Sequence, residues 1–164
     1  VMGSKRFLIT LLTGIIFGNA FVFILDEATI GLGISGGLFA LMGALIVYLY
    51  ETGAFKNRRM LGQMFNIILI NVLISMMPGV SFAAHLGGFQ AGVFLGFMFS
   101  RRKDWTDLRK TVSFLFVLMT VGVVVIMTQK TYTEAHVILD KEVIKSWYEL
   151  GFKRYADSLA RRLY

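Results

Sequence analysis

No cysteine occurs among the 164 residues, which excludes a thiol nucleophile, a disulfide framework and thiolate metal sites together. Proline occurs once and histidine twice, and the ten acidic residues are outnumbered by 17 basic ones for a net charge of +7. Charge is scarcest inside five long stretches: residues 7–25, 34–50, 60–77, 82–100 and 112–127 contain no Lys, Arg, Asp or Glu. What remains is 56% hydrophobic with a mean hydropathy of +0.68, outside the range that a water-soluble core of this size needs. A spanning helix takes roughly 20 mostly apolar residues, so each run is read as a membrane segment. The runs are continuous rather than alternating, and lipid leaves no backbone group unsatisfied, so they are read as helices and not barrel strands. The fold class expected is all-α, a polytopic membrane helix bundle of about five transmembrane helices followed by a helical soluble tail.

The basic residues are not arranged for nucleic acid. Ten of the 17 flank the apolar runs: Lys5 and Arg6 before the first, Lys56, Arg58 and Arg59 between the second and third, and Arg101, Arg102, Lys103, Arg109 and Lys110 between the fourth and fifth; the rest lie in the tail, mixed with acidic residues, and say little about orientation. The other two connections, residues 26–33 and 78–81, have no basic residue. Cytoplasmic loops are the ones enriched in Lys and Arg, so the chain is expected to start inside and to end outside after five crossings. The run Arg101-Arg102-Lys103 anchors that topology and would also attract anionic headgroups. The division expected is therefore a membrane domain at 1–128 and an extracytoplasmic helical tail at 129–164, where charged residues recur every few positions. No charged, apolar and small-residue leader stands before the first run, and Val1 is read as the start of an excerpt.

Chemistry concentrates at the outer side. Ser35, in Gly33-Ile34-Ser35-Gly36-Gly37, stands at the mouth of the second run, and His85 stands in the first turn of the fourth, at similar depth. A serine hydroxyl needs a neighbouring base, histidine is the usual one, and proton transfer requires hydrogen-bond reach of about 3 Å. Below His85, Gly88, Gly92 and Gly96 follow on one helical face; below Ser35, Gly36, Phe39 and Gly43 fall within an arc of roughly 100°. Two small-residue stripes let membrane helices approach closely, and Gly14 and Gly18 offer a weaker third. Thr10, Thr13, Gln63, Ser75 and Gln90 are expected to bond between helices, as are Asn19, Asn66 and Asn71. His136 is read as a solvated tail residue, and no His-Glu-x-x-His zinc pattern exists to recruit it.

These motifs resemble the rhomboid family of intramembrane serine proteases. Residues 33–43, Gly-Ile-Ser-Gly-Gly-Leu-Phe-Ala-Leu-Met-Gly, are similar to its active-serine helix, and residues 84–96, beginning Ala84-His85-Leu86-Gly87-Gly88, are similar to its histidine helix. The resemblance runs from about Ser4 to Ser100, with the fifth run similar to the last helix of the six-plus-one plan. It implies a Ser35–His85 dyad with no acidic third member, Phe39 supporting the imidazole, and Gly33 and Gly36 allowing close backbone approach beside an oxyanion donor at the Ser35 N–H. It implies transmembrane protein substrates within the lipid bilayer, no cofactor, no metal and no nucleic acid. A bacterial plasma membrane is the location expected.

One family feature is missing: no His-x-x-x-Asn matches the oxyanion motif of an earlier helix. An excerpt beginning at the family's third helix would lack it and would be inactive alone. A non-catalytic rhomboid-like protein that binds membrane clients is the alternative. In the tail, residues 147–151 are similar to the opening of a tetratricopeptide repeat, but Tyr155 comes one place late and no full repeat is present.

Overall fold

Where the charges and caps fall decides where the helices start and stop. The computed structural model describes residues 2–25, 34–77, 79–129 and 134–163, without the side chains of residues 134–136, 139, 162 and 163. Its helices are α1 (Ser4–Leu25), α2 (Ser35–Glu51), α3 (Arg58–Ser75), α4 (Phe82–Phe99), α5 (Thr106–Gln129), α6 (Glu134–Glu149) and α7 (Lys153–Leu163), and no strand occurs among the described residues. Asn57 caps α3 by accepting from the N–H groups of Arg59 (3.0 Å) and Met60 (3.4 Å). Ser81 caps α4 by accepting from the Ala84 N–H at 3.2 Å, which sets His85 in the first turn, as the sequence led us to expect. His136 and Gly33 lie outside the described side chains and residues, respectively.

Each apolar run is helical. α1, α4 and the stretch Lys103–Gln129 are long and apolar enough to cross a bilayer; α2 is apolar but only 17 residues long. α3 opens on Arg58 and Arg59 and carries Gln63, Asn66 and Asn71, which lower its hydropathy below that of the other four. α5 begins six residues before its apolar run, because Thr106 to Thr111 complete a charged first turn and a half.

Three helices make the core, and glycine sets their spacing. A Cβ at Gly37 would lie 2.7 Å from the Leu11 carbonyl, one at Gly18 2.8 Å from the Ala84 carbonyl, and one at Gly43 2.5 Å from the Phe89 carbonyl. At Gly88 and Gly92 it would run into the backbone carbonyls of Gly36 and Ala40. α1, α2 and α4 therefore touch backbone to backbone, the arrangement that makes dispersion and close packing effective where lipid supplies no hydrophobic drive. Gly14, whose Cβ would meet that of Ala40, belongs to this contact as fully as the α4 glycines do.

α3 and α5 are peripheral. Only Met64 and Ser75 are buried on α3, and only Val112 on α5. The outward rows on these helices, Phe65, Ile70 and Leu73 on one and Phe114, Val117 and Val121 on the other, are what lipid would cover. α5 is attached through Phe116, whose ring meets Phe17 at 5.2 Å and Phe94 at 5.6 Å.

The basic ends of the helices are tied together by polar contacts. Arg6 donates to the Phe99 carbonyl at 3.1 Å, joining the start of α1 to the end of α4. Glu51, at the end of α2, accepts from the Ser100 hydroxyl and the Arg101 N–H, each at 3.0 Å, and Arg109 donates to the Ser100 carbonyl at 2.8 Å. The beginning of α1, the end of α2, the end of α4 and the beginning of α5 thus share one side. The starts of α2 and α4 share the other.

The tail forms a helical hairpin. Gly151 adopts φ 83°, the Phe152 N–H returns to the Trp147 carbonyl (2.8 Å) and the Gly151 N–H to the Tyr148 carbonyl (3.1 Å). Those two bonds are a Schellman turn, in which a left-handed glycine ends the helix.

Candidate active site

α2 begins at Ser35, which places that residue at a helix start with half-buried surroundings. The N–H groups of Gly37 and Leu38 both bond the Ile34 carbonyl, at 2.9 and 3.3 Å, leaving the Ser35 and Gly36 N–H groups with no carbonyl of their own helix to reach. Free amides at a helix N-terminus favour negative charge, from the same dipoles that an oxyanion requires.

His85 is 5% exposed and is held from two directions. Its ring lies over that of Phe39 at 4.0 Å between centroids and 12° between planes, a close stack. Phe39 is four residues after Ser35, one turn along the same face of α2. The face that carries Ser35 is therefore the face turned toward His85. Backbone contact holds this register: a Cβ at Gly36, the next residue after Ser35, would lie 3.3 Å from the carbonyl of Ala84, the residue before His85. The two helices meet beside both side chains.

From the second direction, His85 Nδ1 lies 2.5 Å from the hydroxyl of Ser75 at the end of α3. Ser75, 2% exposed, also donates to the Asn71 carbonyl of its own helix at 2.7 Å. Between Ser35 and His85 themselves the structure has no hydrogen bond. It brings together the faces that bear them, with Phe39, Gly36, Gly43, Gly88, Gly92 and Gly96 lining the contact below.

Several polar residues behave differently from expectation. Thr10, Asn19 and Asn71 bond the carbonyls of Arg6, Ile15 and Ile67, four residues back in their own helices, rather than a neighbouring helix. A side chain that can reach the i−4 carbonyl is satisfied locally and needs no partner across the interface. Ser75 does bond between helices, but its partner, His85, was not legible: the two belong to different helices, and the turn after α3 brings them together.

Beside the stack, Leu38, Phe39, Met42, Leu45, Met64 and Ile67 line an apolar cleft of about 240 Å³ between α2 and α3.

The stretch that carries the Gly-x-Ser-Gly and Ala-His-x-Gly-Gly segments matches a known family. A family model of the Rhomboid domain matches residues 1–102, well over half of the chain. The chain belongs to the rhomboid family. RHOMBOID-like protein 1 of Arabidopsis thaliana is 37% identical over 91 residues, covering 54% of this chain and 23% of that protein. RHOMBOID-like protein 5 of the same plant is 35% identical over 78 residues (46% and 25%), and its RHOMBOID-like protein 6, mitochondrial, is 32% identical over 89 residues (52% and 29%). The chain spans between a fifth and a third of the length of these relatives. As a rhomboid with several apolar helices and an all-helical described structure, it is an integral membrane protein.

Proposed function

We propose that this rhomboid chain carries the catalytic pair of an intramembrane serine endopeptidase, with Ser35 as nucleophile and His85 as general base. The observation that supports it most is the stack of Phe39 on His85, because a residue one helical turn from Ser35 can hold the imidazole only if Ser35 faces the same way. Ser35 attacks the scissile carbonyl; His85 takes the hydroxyl proton and passes it to the leaving amine as the C–N bond breaks, and water, deprotonated by the same imidazole, then attacks the acyl-serine ester and frees Ser35 with its proton restored. The N–H groups of Ser35 and Gly36, at the start of α2 and beyond reach of a carbonyl of that helix, are the proposed oxyanion donors, and Gly33 belongs to the same segment. Transmembrane segments of other membrane proteins are the substrate class, in keeping with the apolar cleft beside Phe39. The membrane domain is assigned to 1–128 and the tail at 129–164 to the outside, because the basic rim collects at the opposite end from Ser35. The curated relatives are plant proteins and give no support to a bacterial plasma membrane.

A second reading, a non-catalytic rhomboid-like protein that binds membrane clients, is favoured by one observation: no hydrogen bond joins Ser35 to His85. Cleavage of a transmembrane substrate by the full-length protein in liposomes separates the two. The protease reading expects cleavage by the parent and none above background in Ser35→Ala and His85→Ala. Binding of the substrate without cleavage by the parent establishes the second reading instead.

A further inference from the structure

The hydroxyl of Ser75 has one proton and two close partners. The Asn71 carbonyl at 2.7 Å can only accept; His85 Nδ1 at 2.5 Å can donate or accept, according to the tautomer. Were the hydroxyl proton directed at Nδ1, the Ser75 and Asn71 oxygens would face each other with no proton between them. With the proton on the Asn71 carbonyl both hydrogen bonds are made, provided that Nδ1 itself carries a proton and donates it to Oγ. The neutral imidazole then has its lone pair on Nε2.

We propose that Ser75 is a positioning residue that holds His85 in the Nδ1-protonated tautomer, leaving Nε2 as the base for Ser35. This rests on the protease reading above. The neutral chain then runs from the Asn71 carbonyl through the Ser75 hydroxyl to the His85 imidazole, whose Nε2 is left for the Ser35 hydroxyl to reach. In the chemical step the Ser35 proton moves to Nε2 as the Oγ–carbon bond forms and the carbonyl π pair moves to oxygen. His85 becomes an imidazolium that still donates from Nδ1 to Ser75, and the Nε2 proton later passes to the leaving amine. Ser75 gains and loses no proton. It does for ring orientation and tautomer what a buried carboxylate does in a three-residue site, without adding charge to the membrane. Phe39 fixes the plane of the ring and Ser75 fixes its rotation within that plane.

The test uses the full-length protein in liposomes with a transmembrane substrate. Ser75→Ala is expected to lower kcat by about ten-fold with KM changed by less than about two-fold, since only proton transfer is affected. Ser75→Thr, which keeps the hydroxyl, is expected to recover most of that loss. Independently, ¹⁵N NMR of labelled histidine, assigned by comparison with His85→Ala, is expected to show the proton on Nδ1 in the parent and a tautomer mixture in Ser75→Ala. A proton on Nε2 in the parent overturns the proposal whatever the rates are, and so does a Ser75→Ala variant with the parent's kcat. If Ser35→Ala is silent in that case, the protease reading stands and only the positioning role fails. If Ser35→Ala still cleaves while Ser75→Ala does not, Ser75 is itself the nucleophile and both fail.

Discussion

Replacing Gly88 by alanine changes one methyl group, touches neither Ser35 nor His85, and tests the packing on which their encounter depends. The new Cβ would point into the backbone carbonyl of Gly36, a group that cannot rotate away. An ordinary C···O contact is roughly 3.3–3.6 Å, so α2 and α4 must separate by about 1 Å or more at this level. Overpacking against a rigid neighbour costs about 1–3 kcal/mol. For a domain of this size that lowers Tm by about 2–10 °C. The larger effect is on chemistry. Gly88 is one turn below His85, and Gly36 is the neighbour of Ser35, so the separation falls where the reacting groups meet. A misplacement of about 1 Å in a reacting pair is worth about 100-fold in rate. Controls are at hand in Gly62 and Gly122, where a Cβ meets nothing within 4 Å; there alanine is expected to be neutral or to stabilise by up to about 1 kcal/mol through helix propensity. The assay is initial cleavage rate per folded protein in liposomes, with Tm measured in detergent. A Gly88→Ala protein that keeps the parent's Tm and cleaves within about three-fold of it would show that the backbone contact does not position the pair.

Phe39→Leu keeps an apolar side chain but removes the ring stacked on His85; loss of about 0.5–1.5 kcal/mol of ring interaction predicts a fall of roughly two- to twelve-fold in kcat, measured against Phe39→Tyr, which keeps the ring. Glu51→Ala leaves the 4%-exposed Ser100 hydroxyl without its acceptor at about 1–3 kcal/mol, so Tm should drop while the cleavage rate of the folded fraction stays at the parent's value, because the contact lies at the opposite end from Ser35. In the tail, the hydrogen bond that Tyr148 donates to Asp157 raises the Tyr148 pKa above its usual value near 10; its contribution to the α6–α7 hairpin is present below that pH and is lost as pH rises through the raised value. Tyrosinate absorbance should therefore show one late-titrating group that Tyr148→Phe removes and Asp157→Asn returns toward ordinary titration.

The fold was legible because membrane helices write themselves in plain terms: uncharged length, basic residues at one set of ends, small residues on the faces that meet. α1, α4 and the positions of Ser35 and His85 at helix starts follow from those features alone. The sequence was less informative where two surfaces must be known together. Gly14 and Gly18 read as a weak pair, yet they accept the backbones of α2 and α4, because a glycine's value depends on what faces it. Thr10, Asn19 and Asn71 look like interhelical donors in one dimension, whereas in a helix the i−4 carbonyl is the nearer acceptor. The Ser75–His85 contact lay hidden for the opposite reason. Ten residues apart, the two are joined by a turn whose direction no local periodicity specifies.

That hidden contact bears on how the proposed protease would function with so few ionisable groups in its membrane segments. An acidic partner for His85 would bring a second charge beside a side chain that is itself 5% exposed, and its desolvation would offset much of its attraction to an imidazolium. A serine that gives its own proton to the backbone presents a lone pair at no such cost, and it draws its orientation from helix geometry, since Asn71 is four residues before it. The helix that supplies Ser75 is peripheral to the bundle, with Met64 and Ser75 its only buried residues. The contact proposed to hold the imidazole tautomer is therefore borne by a peripheral helix. Any displacement of α3 that breaks the 2.5 Å contact would release His85 from that tautomer before it disturbed the glycine-bound core of α1, α2 and α4.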